Sequence, residues 1–123
     1  MKAIVIPAGD EPVYEIELDG GQGLAKLQDA VGGYIQALPL PAFIKGGDKA
    51  TAYVNEEGKF DPECKPNMRA TDFMVPAIGL HPGDYIAGSF VLVGFDIRTG
   101  RHTDEMPQAV LDRVELIKRE SSA

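Results

Sequence analysis

Apolar and polar positions change period along the chain, and the changes predict its elements. Lys2 to Ile6 is a short apolar, β-branched run closed by Pro7 and Gly9-Asp10, which reads as a buried first strand. From Val13 to Leu18 the pattern alternates. Tyr14, Ile16 and Leu18 fall on one face and Val13, Glu15 and Glu17 on the other, giving a second strand with one apolar and one largely acidic side. Ala8 to Pro12 joins the two as a hairpin. Beyond the glycine-rich Gly20-Gly21-Gln22-Gly23, Leu24, Leu27 and Val31 recur at helical spacing, and Gly32-Gly33 stops the helix. Tyr34 to Leu38, closed by Pro39 and Pro41, reads as a strand. So does Thr51 to Val54, closed by the turn Asn55-Glu56-Glu57-Gly58, with another turn at Gly46-Gly47-Asp48 between the two strands.

Asn55 to Asn67 predicts an ordered surface loop, because Gly58, Pro62 and Pro66 interrupt a charged stretch longer than most connections. Asn67 suits the N-cap of a helix with apolar positions Ala70, Phe73, Met74 and Ala77, which Pro76 kinks or ends. After a turn at His81-Pro82-Gly83-Asp84, Tyr85 to Val93 is almost wholly apolar. That is the pattern of a central strand covered on both faces, with Gly88 marking a bulge or close packing. Asp104-Glu105 and Pro107 open a last helix. Val110, Val114 and Ile117 form its stripe, and Lys118-Arg119 sit at its end, where the helix dipole favours cations. The sum is an α+β protein: an antiparallel or mixed sheet of about five to six strands with two to three helices packed mainly on one side.

Composition narrows the classes. A chain of 123 residues suits one domain over 1–123, and its 44% apolar and 25% charged shares exclude disordered, collagen-like and coiled-coil chains. A net charge of −7 repels phosphate backbones and argues against direct nucleic-acid binding. The acidic residues are scattered, so a solvated surface explains them more cheaply than a DNA-mimicking face. Cys64 is the only cysteine, so no intrachain disulfide forms and a reducing compartment is expected. The apolar run Ala3 to Pro7 is too short for a signal-peptide core or a membrane span, which makes the cytoplasm the expected location.

The richest candidate surface lies between Tyr53 and Thr71. Asn55, Glu56, Glu57, Lys59, Asn67, Arg69 and Thr71 gather there around a helix start and are the predicted ligand-binding residues. The two asparagines offer paired donors and acceptors, while Lys59 and Arg69 could hold an anion near a helix N-terminus. The plainer reading makes the asparagines caps of a turn and a helix, with the charges solvated. Gly20 to Gly23 lacks the spacing of a phosphate-binding fingerprint and reads as a tight turn. Cys64 reads as a packing residue, and both His81, before Pro82 in a turn, and His102, in a polar loop, are expected to be exposed. The pairs Glu15 with Glu17 and Glu56 with Glu57 have no catalytic or metal motif around them. No catalytic residue, metal or cofactor is assigned.

The blocks Val31-Gly32-Gly33-Tyr34-Ile35, Tyr53 to Lys59, Pro66 to Thr71 and Gly88 to Gly94 resemble a family of small proteins from tailed phages, actinobacterial mobile elements and algal genomes. That family is known only as a domain of unknown function. The resemblance covers about Met1 to Gly94, leaving 95–123 as a loop and the C-terminal helix, and it implies context rather than a reaction. In similar sequences the loop after Lys59 is expected to be shorter and more basic. Asp61 and Glu63 depart from that pattern and count against anion binding. The resulting expectation is a non-catalytic accessory protein, a monomer or homodimer, binding a host protein or other macromolecule, or a small polar ligand, through the 55–71 surface. One alternative is a nucleotide-binding or nucleotide-sequestering protein, or a small nucleotide-directed enzyme, with Lys59 and Arg69 on phosphate and a glutamate pair on a metal. The other is an acidic DNA mimic.

Overall fold

The computed structural model describes residues 2–18, 23–40, 49–58, 60, 64–74, 85–96 and 98–122. Their order is β1 (Lys2–Ile6), β2 (Tyr14–Glu17), α1 (Gly23–Val31), β3 (Ile35–Pro39), β4 (Ala50–Asn55), β5 (Pro66–Asn67), α2 (Met68–Met74), β6 (Ile86–Ala87), β7 (Phe90–Asp96), β8 (Arg101–Thr103) and α3 (Gln108–Ser122). The main sheet runs β2-β1-β7-β4-β3 and every pairing in it is antiparallel. Gly94 pairs with Ala50 on one side and Thr103 on the other, so β8 extends the row that β1 occupies. Where those two strands meet, the Lys2 backbone N–H donates to Asp104 Oδ1 at 2.8 Å. β5 and β6 form a separate ribbon.

The central strands alternate between two apolar layers. Ala3, Val5, Val91 and Val93 face Leu27 and Val31 of α1. Ile6, Phe90 and Leu92 face the other way, with Ala52 and Val54, and meet Phe73 and Met74 of α2 and Val110, Val114 and Ile117 of α3. Two helices thus cover one face, and α1 covers the opposite one. Burial on both faces is why β1 and β7 read as continuous apolar runs. Arg113 of α3 lies over the Phe73 ring, 5.1 Å from its centroid, and donates to the Phe73 carbonyl at 2.6 Å, fastening the two helices together. Among the described residues no helix is long and apolar enough to cross a membrane.

The expected strand from Tyr85 to Val93 is split in two at Gly88. That residue takes a φ of +78°, which breaks the ladder, and a Cβ there would meet Cys64 Sγ at 3.3 Å. Gly32 ends α1 as expected: at φ +81° its N–H donates to the Gln28 carbonyl, which also receives the N–H of Gly33. The turns at 20–22, 46–48 and 81–84, together with Pro76, Ala77 and His81, lie outside the described residues.

His102 corrects its expectation. It lies in β8 opposite Phe95, half-buried, with Nε2 hydrogen-bonded to the Tyr53 hydroxyl at 2.7 Å and the two rings edge to face. Burial holds the imidazole below its ordinary 6.5 and pushes the Tyr53 phenol up. With a folded pKa below the unfolded one, the His102 contribution is complete above pH 6.5 and is lost as pH falls through the folded pKa. Stability in urea is therefore expected to decline as pH falls below 6.5. His102→Gln should flatten part of that slope; an unchanged slope would assign the dependence to other groups.

Candidate functional site

The described members of the predicted binding set, Asn55, Glu56, Glu57, Asn67, Arg69 and Thr71, converge on one end of the sheet, where β1 and β4 finish and β7 begins. Asn55 ends β4 and is buried. Its Nδ2 donates to the Val31 carbonyl at 3.2 Å and reaches Cys64 Sγ at 3.8 Å, while Oδ1 accepts the Glu57 backbone N–H at 2.8 Å. The turn that follows is therefore an Asx turn, tied to the end of α1. Its close approach also explains Gly33, where a Cβ would stand 2.9 Å from Asn55 Nδ2.

Asn67 is fully buried and all its side-chain groups are used. Nδ2 donates to the carbonyls of Ile6 at 2.8 Å and Gly88 at 2.9 Å, and Oδ1 caps α2 by accepting the Ala70 N–H at 3.0 Å. Thr71 Oγ1 donates to the Asn67 carbonyl at 2.8 Å and accepts the Ile86 N–H at 2.9 Å, joining α2 to β6. Arg69 Nη2 donates to the carbonyls of Pro7 at 2.7 Å and Glu11 at 2.6 Å, which pins the connection between β1 and β2. Glu56 and Glu57 are exposed, and the Glu56 N–H donates to the Tyr34 carbonyl at 2.9 Å. Lys59 lies outside the described residues.

Asn55, Asn67, Arg69 and Thr71 thus face inward and tie together the chain at 6–11, 31, 55–57, 64–71 and 86–88. The open surface above them belongs to residues the sequence did not single out. A cleft of about 530 Å³ is lined by 7–11, 29–32, 64–65 and 88–89, and it contains Asp10, Glu11, Asp29 and Lys65. A second, of about 430 Å³, lies between Gln28, Asp29, Gly32, Gly33 and Tyr34. Tyr34 is 71% exposed and Phe60 89%, and the Phe60 N–H donates to the Glu57 carbonyl at 2.9 Å. Tyr34 thus stands solvated in the wall of the second cleft, and Phe60 on the turn that follows Asn55. A hydrophobic residue directly after the Gly32-Gly33 helix stop was the signal available for Tyr34.

At the far end of β7 a third cleft, of about 510 Å³, is lined by Lys49, Phe95, Asp96, Arg98, Thr103, Glu105, Met106 and Pro107. The Arg98 N–H at 2.9 Å and the Arg98 guanidinium at 3.5 Å hold the Asp96 carboxyl below its usual range. Among the described residues no three His, Cys, Asp or Glu side chains gather as metal ligands.

Fold and site together define an α+β protein with a polar, internally braced end that opens into adjoining clefts. The chain belongs to the DUF3846 family of domains of unknown function, whose family profile matches residues 1–118 and so extends past Gly94 into α3. No solved structure matches it.

Proposed function

We propose that this chain is a non-catalytic accessory protein of a phage or mobile element that binds a host protein with the end of the sheet built around residues 55–71. The observation that carries the reading is the pairing of a rigid base with an open, aromatic rim. Asn55, Asn67, Thr71 and Arg69 lock the chain segments together, while Tyr34 is exposed in a cleft wall and Phe60 is exposed on the turn after Asn55. A surface held in place before binding loses little entropy on association, and exposed aromatic residues supply much of the energy at interfaces. Glu56 and Glu57, exposed beside Tyr34, give the rim a polar edge.

The test is quantitative co-purification from a host extract with the native chain, the double variant Tyr34→Ala with Phe60→Ala, and Leu116→Ala on α3. The rim variant should lose the enriched partner by about tenfold with an unchanged melting temperature, while Leu116→Ala keeps it. Equal retention by the rim variant would remove this surface from the interaction.

A further inference from the structure

We infer that β3 is a dimer edge: it pairs antiparallel with β3 of a second copy of this chain, about a two-fold axis at Ala37, and joins the two main sheets into one.

β2 and β3 are the two edges of the main sheet. β2 is guarded. It carries Glu15 and Glu17, Lys2 Nζ stands 4.0 Å from Glu15 Oε2, and Lys26 Nζ donates to the Glu17 carbonyl at 2.8 Å. Charged side chains are a common defence of an edge against further pairing. β3 lacks it. Tyr34 to Leu38 holds no charge, and Gln36 and Ala37 are exposed.

Backbone direction defines what this open edge offers. The Glu56 N–H donates to the Tyr34 carbonyl, so the backbone of Tyr34 is turned towards β4. Alternation along an antiparallel ladder then turns Gln36 and Leu38 to β4 as well. It leaves the N–H and C=O groups of Ile35 and Ala37, with the carbonyl of Pro39, pointing outward. Among the described residues no bond outside the β3–β4 ladder reaches those three residues. The N–H that Pro39 lacks also falls on the outer side, where an edge tolerates proline.

This row is complementary to itself. With two copies of β3 in full overlap, Ala37 lies opposite the partner's Ala37 and Ile35 opposite the partner's Pro39. Every outward N–H then meets a carbonyl, and the only bond missing is the one Pro39 has no N–H to make. A small side chain stands at the axis and no like charges meet across it. Ile35 packs against one apolar layer and Leu38 against the other, so pairing carries both layers across the axis.

Sedimentation equilibrium and amide exchange on the full chain test this together. The chain should be dimeric at about 100 μM. Salt should strengthen association, because each copy carries −7. The Ile35 and Ala37 amides should exchange slowly in the dimer and be released on dilution, while those of Gln36 and Leu38 stay protected at both concentrations. Ala37→Glu and Ala37→Lys should each weaken the dimer about fivefold or more by setting like charges opposite one another, and mixing the two variants should restore it. Glu15→Gln on β2 should not weaken it. All three variants keep Tyr34 and Phe60, so host-protein binding is read separately. A monomer at the higher concentration, a dimer whose Ile35 and Ala37 amides exchange freely, or a mixture that fails to re-form the dimer would each overturn the inference. If those amides gain protection only when the co-purified host protein is added, the edge belongs to a strand of that protein and self-pairing fails.

Discussion

Asn67→Ala should destabilise the protein by roughly 3–4 kcal/mol, the larger share coming from groups left without partners rather than from the lost side chain. The substitution strands the carbonyls of Ile6 and Gly88 and the N–H of Ala70 in a site from which water is excluded. Each buried group left unsatisfied costs about 1–3 kcal/mol, and loss of an N-cap about 1 kcal/mol, with partial relaxation bringing the sum down. Total stabilities lie at about 5–15 kcal/mol, so the variant should unfold at a clearly lower urea midpoint with an unchanged slope, and melt roughly 10 °C or more below the native chain. Asn67→Asp separates capping from bridging. It keeps an acceptor for Ala70 but turns a carboxylate towards the two carbonyls that Nδ2 now serves. It should be at least as damaging as alanine, whereas rescue by aspartate would show that the cap alone matters. A loss below about 1 kcal/mol for alanine would mean that the site admits water.

The same residue shows where sequence reasoning reached and where it stopped. That Asn67 caps a helix was legible, because the acceptor and the N–H it serves are three residues apart. Its bonds to Ile6 and Gly88 were not, since they span 61 and 21 positions and end on carbonyls, which every residue carries alike. Asn55 repeats the case: its turn with Glu57 is local, while its bond to Val31 crosses 24 positions. A polar cluster in the sequence therefore marked residues that gather at one end of the sheet but not which side chains face outward there. The clefts were hidden for the same reason, because Asp10, Asp29 and Lys65 meet only after the sheet and α1 have assembled.

Elements with a strong period were legible throughout. The paired apolar layers of β1 and β7 and the stripe Val110, Val114 and Ile117 appear where burial demands them. β8 escaped notice because Arg101 to Thr103 has no apolar alternation. It exists as the return arm of a hairpin on β7, and the polar stretch reads as a loop until that strand is in place. Gly88 was marked in the sequence as a bulge or a point of close packing, but that the strand ends there was not legible, since both flanks are apolar and a backbone angle leaves no trace in periodicity.

Gly94→Ala is expected to be the second costly change, although it adds a single methyl group. At this position β7 pairs with β4 and β8 together, and the chain leaving β8 crosses directly above it. A Cβ would be driven into the carbonyl oxygens of Thr103 and Glu105, well inside van der Waals contact. Both are backbone atoms that cannot swing aside, so the crossing must move or the strands must part, at roughly 2–3 kcal/mol. Gly100→Ala supplies the comparison. That glycine has a φ of +70° with open space around it, so alanine there meets only the left-handed backbone penalty of about 1 kcal/mol. Gly94→Ala should therefore be the worse of the two in urea, and it should also raise amide exchange at Thr103 to Glu105 and through the first turn of α3, because the displaced crossing leads directly into that helix. If the two variants were equally stable, the crossing would be loose, and α3 would be held by its apolar stripe and by Arg113 rather than by the chain that delivers it.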